Sequence, residues 1–278
     1  MPLTPLERTF CHVNGIGLRT EKKLWEAGAT SWYDIDASDC GELPAGTLRA
    51  ARREAETSRR KYFDRDIYYF VRKLPPAEQW RVFASVPGPT AYIDIETTGT
   101  SLSSSAVTII GLFDGEASHI YMHEFRDLRE RPPLKKTKYP TFISSSAKFE
   151  RKMAETNKYV TFNGKSFDVP ILRRYFPDVD FRIPHLDLKI AMRAVGIRGG
   201  LKSIEKQLGV ARPGEVNGLS GRDAVDLWAR YRTLYDMEAL ARLIEYNVQD
   251  IVNLPRLEQV FFEKRMKDLP PDTTILTN

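Results

Sequence analysis

Residues Ala91 to Gly99 read Ala-Tyr-Ile-Asp-Ile-Glu-Thr-Thr-Gly, and this stretch constrains the fold more than any other part of the chain. Tyr92, Ile93 and Ile95 favour a strand, bounded by Pro87-Gly88-Pro89 before it and Thr98-Gly99 after it. Side chains alternate along a strand, so Asp94 and Glu96 share one face while Ile93 and Ile95 take the other. Two neighbouring carboxylates on a strand otherwise suited to burial are costly, because each loses solvation and repels the other. A divalent cation removes both costs, and hard oxygen ligands at this spacing suit Mg²⁺ or Mn²⁺. A lone Asp-x-Glu is more often the solvated edge of an ordinary strand, so the stretch defines a site only in company.

Two later stretches supply that company. Tyr159 to Leu172 reads as a short apolar strand, a tight Asn163-Gly164 turn and a helix start with Asp168 in its first turn. Tyr246-Asn-Val-Gln-Asp250 sits in a long helical run, where a spacing of four puts Tyr246 and Asp250 on one face. Asn163-Gly164-x-x-Phe167-Asp168-x-Pro170-x-Leu172 and Tyr246-Asn247-x-x-Asp250, following the strand carboxylates, resemble the DEDD (DnaQ-like) exonuclease superfamily, Tyr subtype. Within it the wording is similar to that of the YprB-like, RNase H-like exonucleases, over roughly Pro89 to Met266.

The resemblance implies an α/β fold, an RNase H-like mixed sheet flanked by helices, preceded here by a small all-helical N-terminal domain. It implies that Asp94, Glu96, Asp168 and Asp250 hold two divalent ions, Mg²⁺ or Mn²⁺, and that Tyr246 orients the attacking water. The implied reaction is 3′→5′ hydrolysis of single-stranded nucleic acid to nucleoside 5′-monophosphates, with DNA ahead of RNA as substrate. Thr97, Asn163 and Phe167 would lie beside the terminal nucleotide. Two alternatives stay open: an inactive RNase H-like module that only binds nucleic acid, and a structure-specific nuclease. The first class normally loses acidic positions, and none is lost here.

At 278 residues the chain has room for one large domain and a small one, and Pro87-Gly88-Pro89 is the expected boundary between residues 1–86 and 89–268. The N-terminal part is expected to open with a helical hairpin. Its first helix ends near Cys11, Gly15-Ile16-Gly17 makes the turn, and its second helix runs from Leu18 to Ala27. This resembles a helix-hairpin-helix element, in which N–H groups near Gly15 and Gly17 dock on a nucleic-acid backbone. A plain helical hairpin with a glycine turn fits the same residues. One long helix is expected over Leu43–Lys73, with Arg49, Arg52 and Arg53 among its surplus cations.

In the larger part, strands are expected at Thr90–Thr97, Val107–Phe113, Ser118–Phe125 and Tyr159–Phe162, with a short fifth at Arg182–Pro184. Asp127–Ser146 reads as an irregular insertion, and helices are expected at Lys148–Thr156, Leu186–Val195 and Leu201–Leu208. Ser220 and Asp236 read as caps of two further helices, the second kinked at Pro255. The tail from Leu269 is expected to be loosely ordered. His119 and His123 have no third ligand in sight and read as packing residues.

The net charge of +5 suits a polyanionic partner. No apolar run approaches the roughly 18 residues of a membrane span, and the opening Met1-Pro2-Leu3-Thr4 is unlike a signal peptide. Cys11 and Cys40 lack partners at metal-ligand spacing, so buried or free thiols in a reducing cytoplasm are expected.

Overall fold

The alternating run at Thr90–Thr97 is a strand, β1, over the expected residues in a computed structural model describing residues 2–41, 43–122, 132–135, 138–212 and 218–271. Strand β2 (Val107–Phe113) runs antiparallel to it, with Tyr92 opposite Phe113 and Asp94 opposite Gly111. The Asp114-Gly115 turn leads to β3 (Ser118–Met122), again antiparallel. Gly115 takes a φ of 99°, and the Asp114 carboxylate accepts from the N–H groups of Glu116 (3.1 Å) and Ala117 (2.8 Å). On the other side of β1, β5 (Lys158–Thr161) pairs parallel, starting with Thr90 opposite Lys158.

Two strands correct the sequence expectation. The stretch Asp127–Ser146 is not wholly irregular: Thr141–Ser145 forms β4, parallel to β3, with Ile143 opposite Ile120. It is a partly exposed edge strand with no alternating apolar face, so only its pairing partner reveals it. The fifth expected strand lies at His185–Asp187 (β6), not at Arg182–Pro184. Pro184 brings no N–H for a ladder, and the next three residues pair with Tyr159, Val160 and Thr161. The sheet order is β4-β3-β2-β1-β5-β6, a mixed six-stranded sheet in which β1 has neighbours on both sides. The expected end of the third strand, from His123 to Phe125, lies outside the described residues.

Helices α5 (Ala147–Ala154), α6 (Asp168–Tyr175), α7 (Leu188–Ala194) and α8 (Leu201–Gln207) follow the strands. Helix α9 (Gly221–Leu234) opens on a capping box between Ser220 and Asp223, and α10 (Met237–Val252) on Asp236, which accepts from the Ala239 N–H. The buried stripe Leu240, Leu243, Ile244 of α10 packs with Ile109, Ile120 and Met122 of the sheet and with Leu227 and Trp228 of α9. At Pro255 the expected kink is a full break: α10 ends at Val252 and α11 (Leu254–Arg265) begins after Asn253. Among the described residues, no helix is long and apolar enough to cross a membrane.

The chain divides into two compact units, one of residues 1–87, 182–184 and 261–278, the other of 88–181 and 185–260. The first contains α1 (Leu18–Glu26), α2 (Ala45–Phe63), α3 (Ile67–Lys73) and α4 (Trp80–Ser85). The expected helix before Cys11 is absent; Thr9, Val13 and Ile16 instead close successive turns onto Leu6, Phe10 and Val13. The cause is Glu21 of α1, whose carboxylate takes the N–H groups of Phe10 (2.6 Å) and Cys11 (3.1 Å) and the Thr9 hydroxyl (3.0 Å). The expected long helix breaks at Arg65, which adopts a φ of 57°, and Asp66 caps α3 by accepting from the Tyr69 N–H. Cys11 and Cys40 are buried free thiols.

Glu21 is itself held by Arg81 through two bonds, 2.8 and 2.7 Å, and both side chains are sealed from solvent. Removing one partner of such a pair leaves an uncompensated buried charge. Arg81→Met is expected to lower unfolding stability by about 3–5 kcal/mol, measured by chemical denaturation. An unchanged midpoint would mean that the pair contributes nothing.

Candidate metal centre

On β1, Ile93 and Ile95 point into the core while Asp94 and Glu96 take the opposite face, as period two requires. That face meets α10. One carboxylate oxygen from each of Asp94, Glu96 and Asp250 lies within 4.8 Å of the other two. Tyr246 sits one turn before Asp250, buried on the same helix.

Asp168 arrives from β5. The turn after that strand places Asn163 at a φ of 69°, and Gly164 donates its N–H to the Thr161 hydroxyl at 3.1 Å. A Cβ at Gly164 would stand 2.3 Å from that hydroxyl oxygen, so the approach needs glycine. The turn delivers Asp168 to the start of α6, where its carboxylate accepts from the N–H of Ile95, between the two acidic residues of β1, at 3.1 Å. Asp168 lies outside the three-oxygen group but close enough to raise the pKa of Asp94.

The electrostatics are those of like charge only partly compensated. Burial first, and then the repulsion of Asp250, Asp168 and Glu96, hold the Asp94 carboxyl well above its ordinary range. Burial and Asp250 do the same to Glu96, opposed by a hydrogen bond from Asn247. Burial pushes Asp168 up to about 7, against the pull of its own N–H and that of Ile95. Asp250 is raised by burial and held back by Arg212. A cluster of hard, anionic oxygen donors with raised pKa values fits a divalent cation of the Mg²⁺ or Mn²⁺ class.

Several residues that shape this site were given no role in the sequence, although Asn247 stands inside the Tyr246–Asp250 motif. Asn247 is fully buried and donates to Asp94 Oδ2 at 3.0 Å. Gly111, opposite Asp94, makes room for it: a Cβ there would lie 1.9 Å from Asn247 Oδ1. Asp187 accepts from the N–H groups of Asn163, Lys165 and Lys189, each at 3.0 Å, bracing the turn before Asp168 from 22 to 24 residues away. Arg212 pairs with Asp250 at 2.6 Å. Lys202 places its Nζ 4.6 Å over the Tyr246 ring.

The remaining expected contacts fall as follows. Thr97 is buried, its hydroxyl donating to the Gly99 carbonyl. Asn163 Oδ1 accepts from Lys189 Nζ at 3.2 Å, and half-buried Phe167 stands at the N-terminus of α6. Gly15, Gly17, Arg49, Arg52 and Arg53 belong to the other unit. There Gly15 has a φ of 83°, Gly17 precedes α1, and the three arginines are exposed on α2. His119 bonds Asp114 at 2.9 Å and stacks on Phe142; His123 lies outside the described residues.

A mixed sheet with carboxylates gathered on a central strand and a late helix defines an RNase H-like protein. Residues 91–261 match the model of the RNase_H superfamily, and the chain belongs to that family. No curated protein matches the sequence. Among solved structures, the chain is similar to Brucella melitensis NrnC with bound Mg²⁺, at 18% identity over 65% of this chain and 75% of that one, TM-score 0.42. It is also similar to a structure described as the apo form of the nuclease, at 19% identity over 64% and 74%, TM-score 0.43. A family B DNA polymerase from the hyperthermophilic archaeon Pyrobaculum calidifontis matches at 16% identity over 66% of this chain and 26% of that one, TM-score 0.46.

The raised carboxyls link stability to pH. The folded chain keeps the Asp168 proton up to about 7, whereas the ordinary value is 3.8, so between those values the metal-free folded state binds more protons than the unfolded one. That contribution is present below about pH 4 and is lost as pH rises through about 7. In EDTA, the melting temperature of the wild type relative to Asp168→Asn is expected to fall across this window. Parallel pH profiles for the two proteins would contradict the assigned shift.

Proposed function

We propose that the chain is a metal-dependent nuclease that hydrolyses single-stranded nucleic acid from the 3′ end to nucleoside 5′-monophosphates, with DNA ahead of RNA. The observation that carries this reading is the meeting of Asp94, Glu96 and Asp250 within 4.8 Å on an RNase H-like sheet, with Asp168 bonded to the strand between the first two. Direction and product follow from the resemblance of the three motifs to DEDD exonucleases of the Tyr subtype. Residues 89–268 are the proposed catalytic domain and residues 1–86 the proposed helical domain, in a cytoplasmic protein.

Asp94, Glu96, Asp168 and Asp250 would hold two Mg²⁺ or Mn²⁺ ions. Bound there, such ions supply an activated water and stabilise the negative charge that develops on the phosphate and the leaving oxygen. The protein's part is to aim the ligands. Asn247 fixes Asp94 Oδ2, and the Ile95 N–H fixes Asp168. Burial and then the charges of Asp250, Glu96 and Asp94 raise the Tyr246 phenol above its ordinary value, so it stays protonated. A protonated phenol donates a hydrogen bond and does not take a proton, which suits it to orient the attacking water. Thr97, Asn163 and Phe167 are the proposed neighbours of the terminal nucleotide.

End-labelled single-stranded DNA and RNA with Mg²⁺, Mn²⁺ or EDTA test the reading together with two variants. Asp94→Asn is expected to reduce hydrolysis to background with the fold retained. Tyr246→Phe is expected to lower turnover by roughly 10²-fold with metal affinity unchanged. Full activity of Asp94→Asn would sink the site, and oligonucleotide binding without hydrolysis by the wild type would make the chain a binding module.

The exposed Arg49, Arg52 and Arg53 of α2 and the turn at Gly15 and Gly17 are the proposed contacts to the nucleic-acid backbone. Reversing the three arginines to Glu is expected to weaken binding of long single strands and to flatten its dependence on salt, because fewer counterions are released. An unchanged salt slope, read by fluorescence anisotropy, would leave α2 without that role.

A further inference from the structure

Arg212 is 4% exposed and lies between two carboxylates. Its Nε and Nη2 both bond Glu205, the second at 2.9 Å, and Nη2 also meets Asp250 Oδ1 at 2.6 Å. Glu205, on α8, is equally buried and accepts a third hydrogen bond, 2.9 Å, from Asn253 at the end of α10. Arg212 and Glu205 alone would make a neutral, forked pair. The guanidinium instead extends to a member of the acidic cluster while its Nη1 is buried without a hydrogen-bond partner among the described residues. An unsatisfied buried donor is unfavourable, so the carboxylates, not the donor's own needs, set where this group sits.

Resting on the reading of the cluster as a cation site, we propose that Arg212 is a built-in counter-ion that competes with the metal for Asp250. In the metal-free protein it supplies the positive charge that keeps Asp250 of α10 beside Asp94 and Glu96 of β1. A cation entering the site must share a carboxylate already partly neutralised, or push the guanidinium back onto Glu205. Either course lowers metal affinity, and linkage makes the effect reciprocal: bound metal loosens the Arg212–Asp250 pair. Glu205 sets the strength of the competition, because the more of the guanidinium charge it takes, the less remains on Asp250.

Calorimetric titration of the full, EDTA-stripped chain with MgCl₂ or MnCl₂, without nucleic acid, tests this. Arg212→Gln alone strands the buried Glu205 charge and risks misfolding, so Arg212→Gln is combined with Glu205→Gln. The double variant loses one positive and one negative charge, leaving net charge unchanged and Asp250 unpaired. It is expected to bind metal roughly tenfold more tightly than the wild type, within the usual range of such couplings, and to melt lower without metal. Glu205→Gln alone commits Arg212 to Asp250 and is expected to bind metal more weakly than the wild type. A part that is merely structural would shift the melting temperature and leave metal affinity where it was or weaken it. Wild-type binding with an equal or weaker affinity in the double variant overturns the competition and spares the metal site. No binding by any of the three proteins overturns both. Binding by the double variant where the wild type shows none supports the competition.

Discussion

The repulsion among carboxylates gathered between β1 and α10 is the constraint that the rest of the larger unit answers to. One oxygen each of Asp94, Glu96 and Asp250 lies within 4.8 Å of the other two; burial raises all three carboxyls, joined by repulsion within the cluster at Asp94 and Glu96 and opposed by Arg212 at Asp250. Holding them there takes a strand paired on both sides and a helix packed onto it through an apolar stripe. It also takes a close approach. Gly111 faces Asp94 across the β1–β2 ladder and leaves the space that Asn247 fills. A methyl group at that position would push the amide off Asp94 and move the helix that carries Asp250. A glycine in the middle of a strand, unfavourable for the strand alone, is thus set by the site.

The parts of the fold that were legible in the sequence are those whose cause is local. β1 and β2 occupy the expected residues because apolar alternation and turn residues bound them. Ser220 and Asp236 start α9 and α10 as expected because a cap acts within one turn. Where the cause is distant, the expectation failed. The chain before Cys11 forms turns because Glu21 takes the N–H groups that would otherwise be positioned for a helix. β4 has no alternating apolar pattern and exists by pairing with β3. β6 starts after Pro184 because its register is set by β5. The site divides in the same way. Its carboxylates stand in short motifs, whereas Asp187, Gly111, Arg212 and Glu205 act across long stretches of chain and look ordinary in sequence.

Three kinds of buried carboxylate in this protein show what sets the cluster apart. Glu21 is fully buried and is satisfied by Arg81, two N–H groups and a hydroxyl. Asp187 is 3% exposed, and its oxygens accept three backbone N–H groups. In both cases the chain supplies enough donors to hold the charge, and the result is a brace. Among the described residues, Asp94, Glu96 and Asp250 are buried or half-buried with fewer donors, one amide and one shared guanidinium, and one oxygen of each lies within 4.8 Å of the other two. At Glu21 and Asp187 this protein resolves buried charge from within, and at the cluster it does so less completely. The missing positive charge is of the kind a divalent cation would bring, and the Tyr246 phenol beside the cluster is raised first by burial and then by the same negative charges.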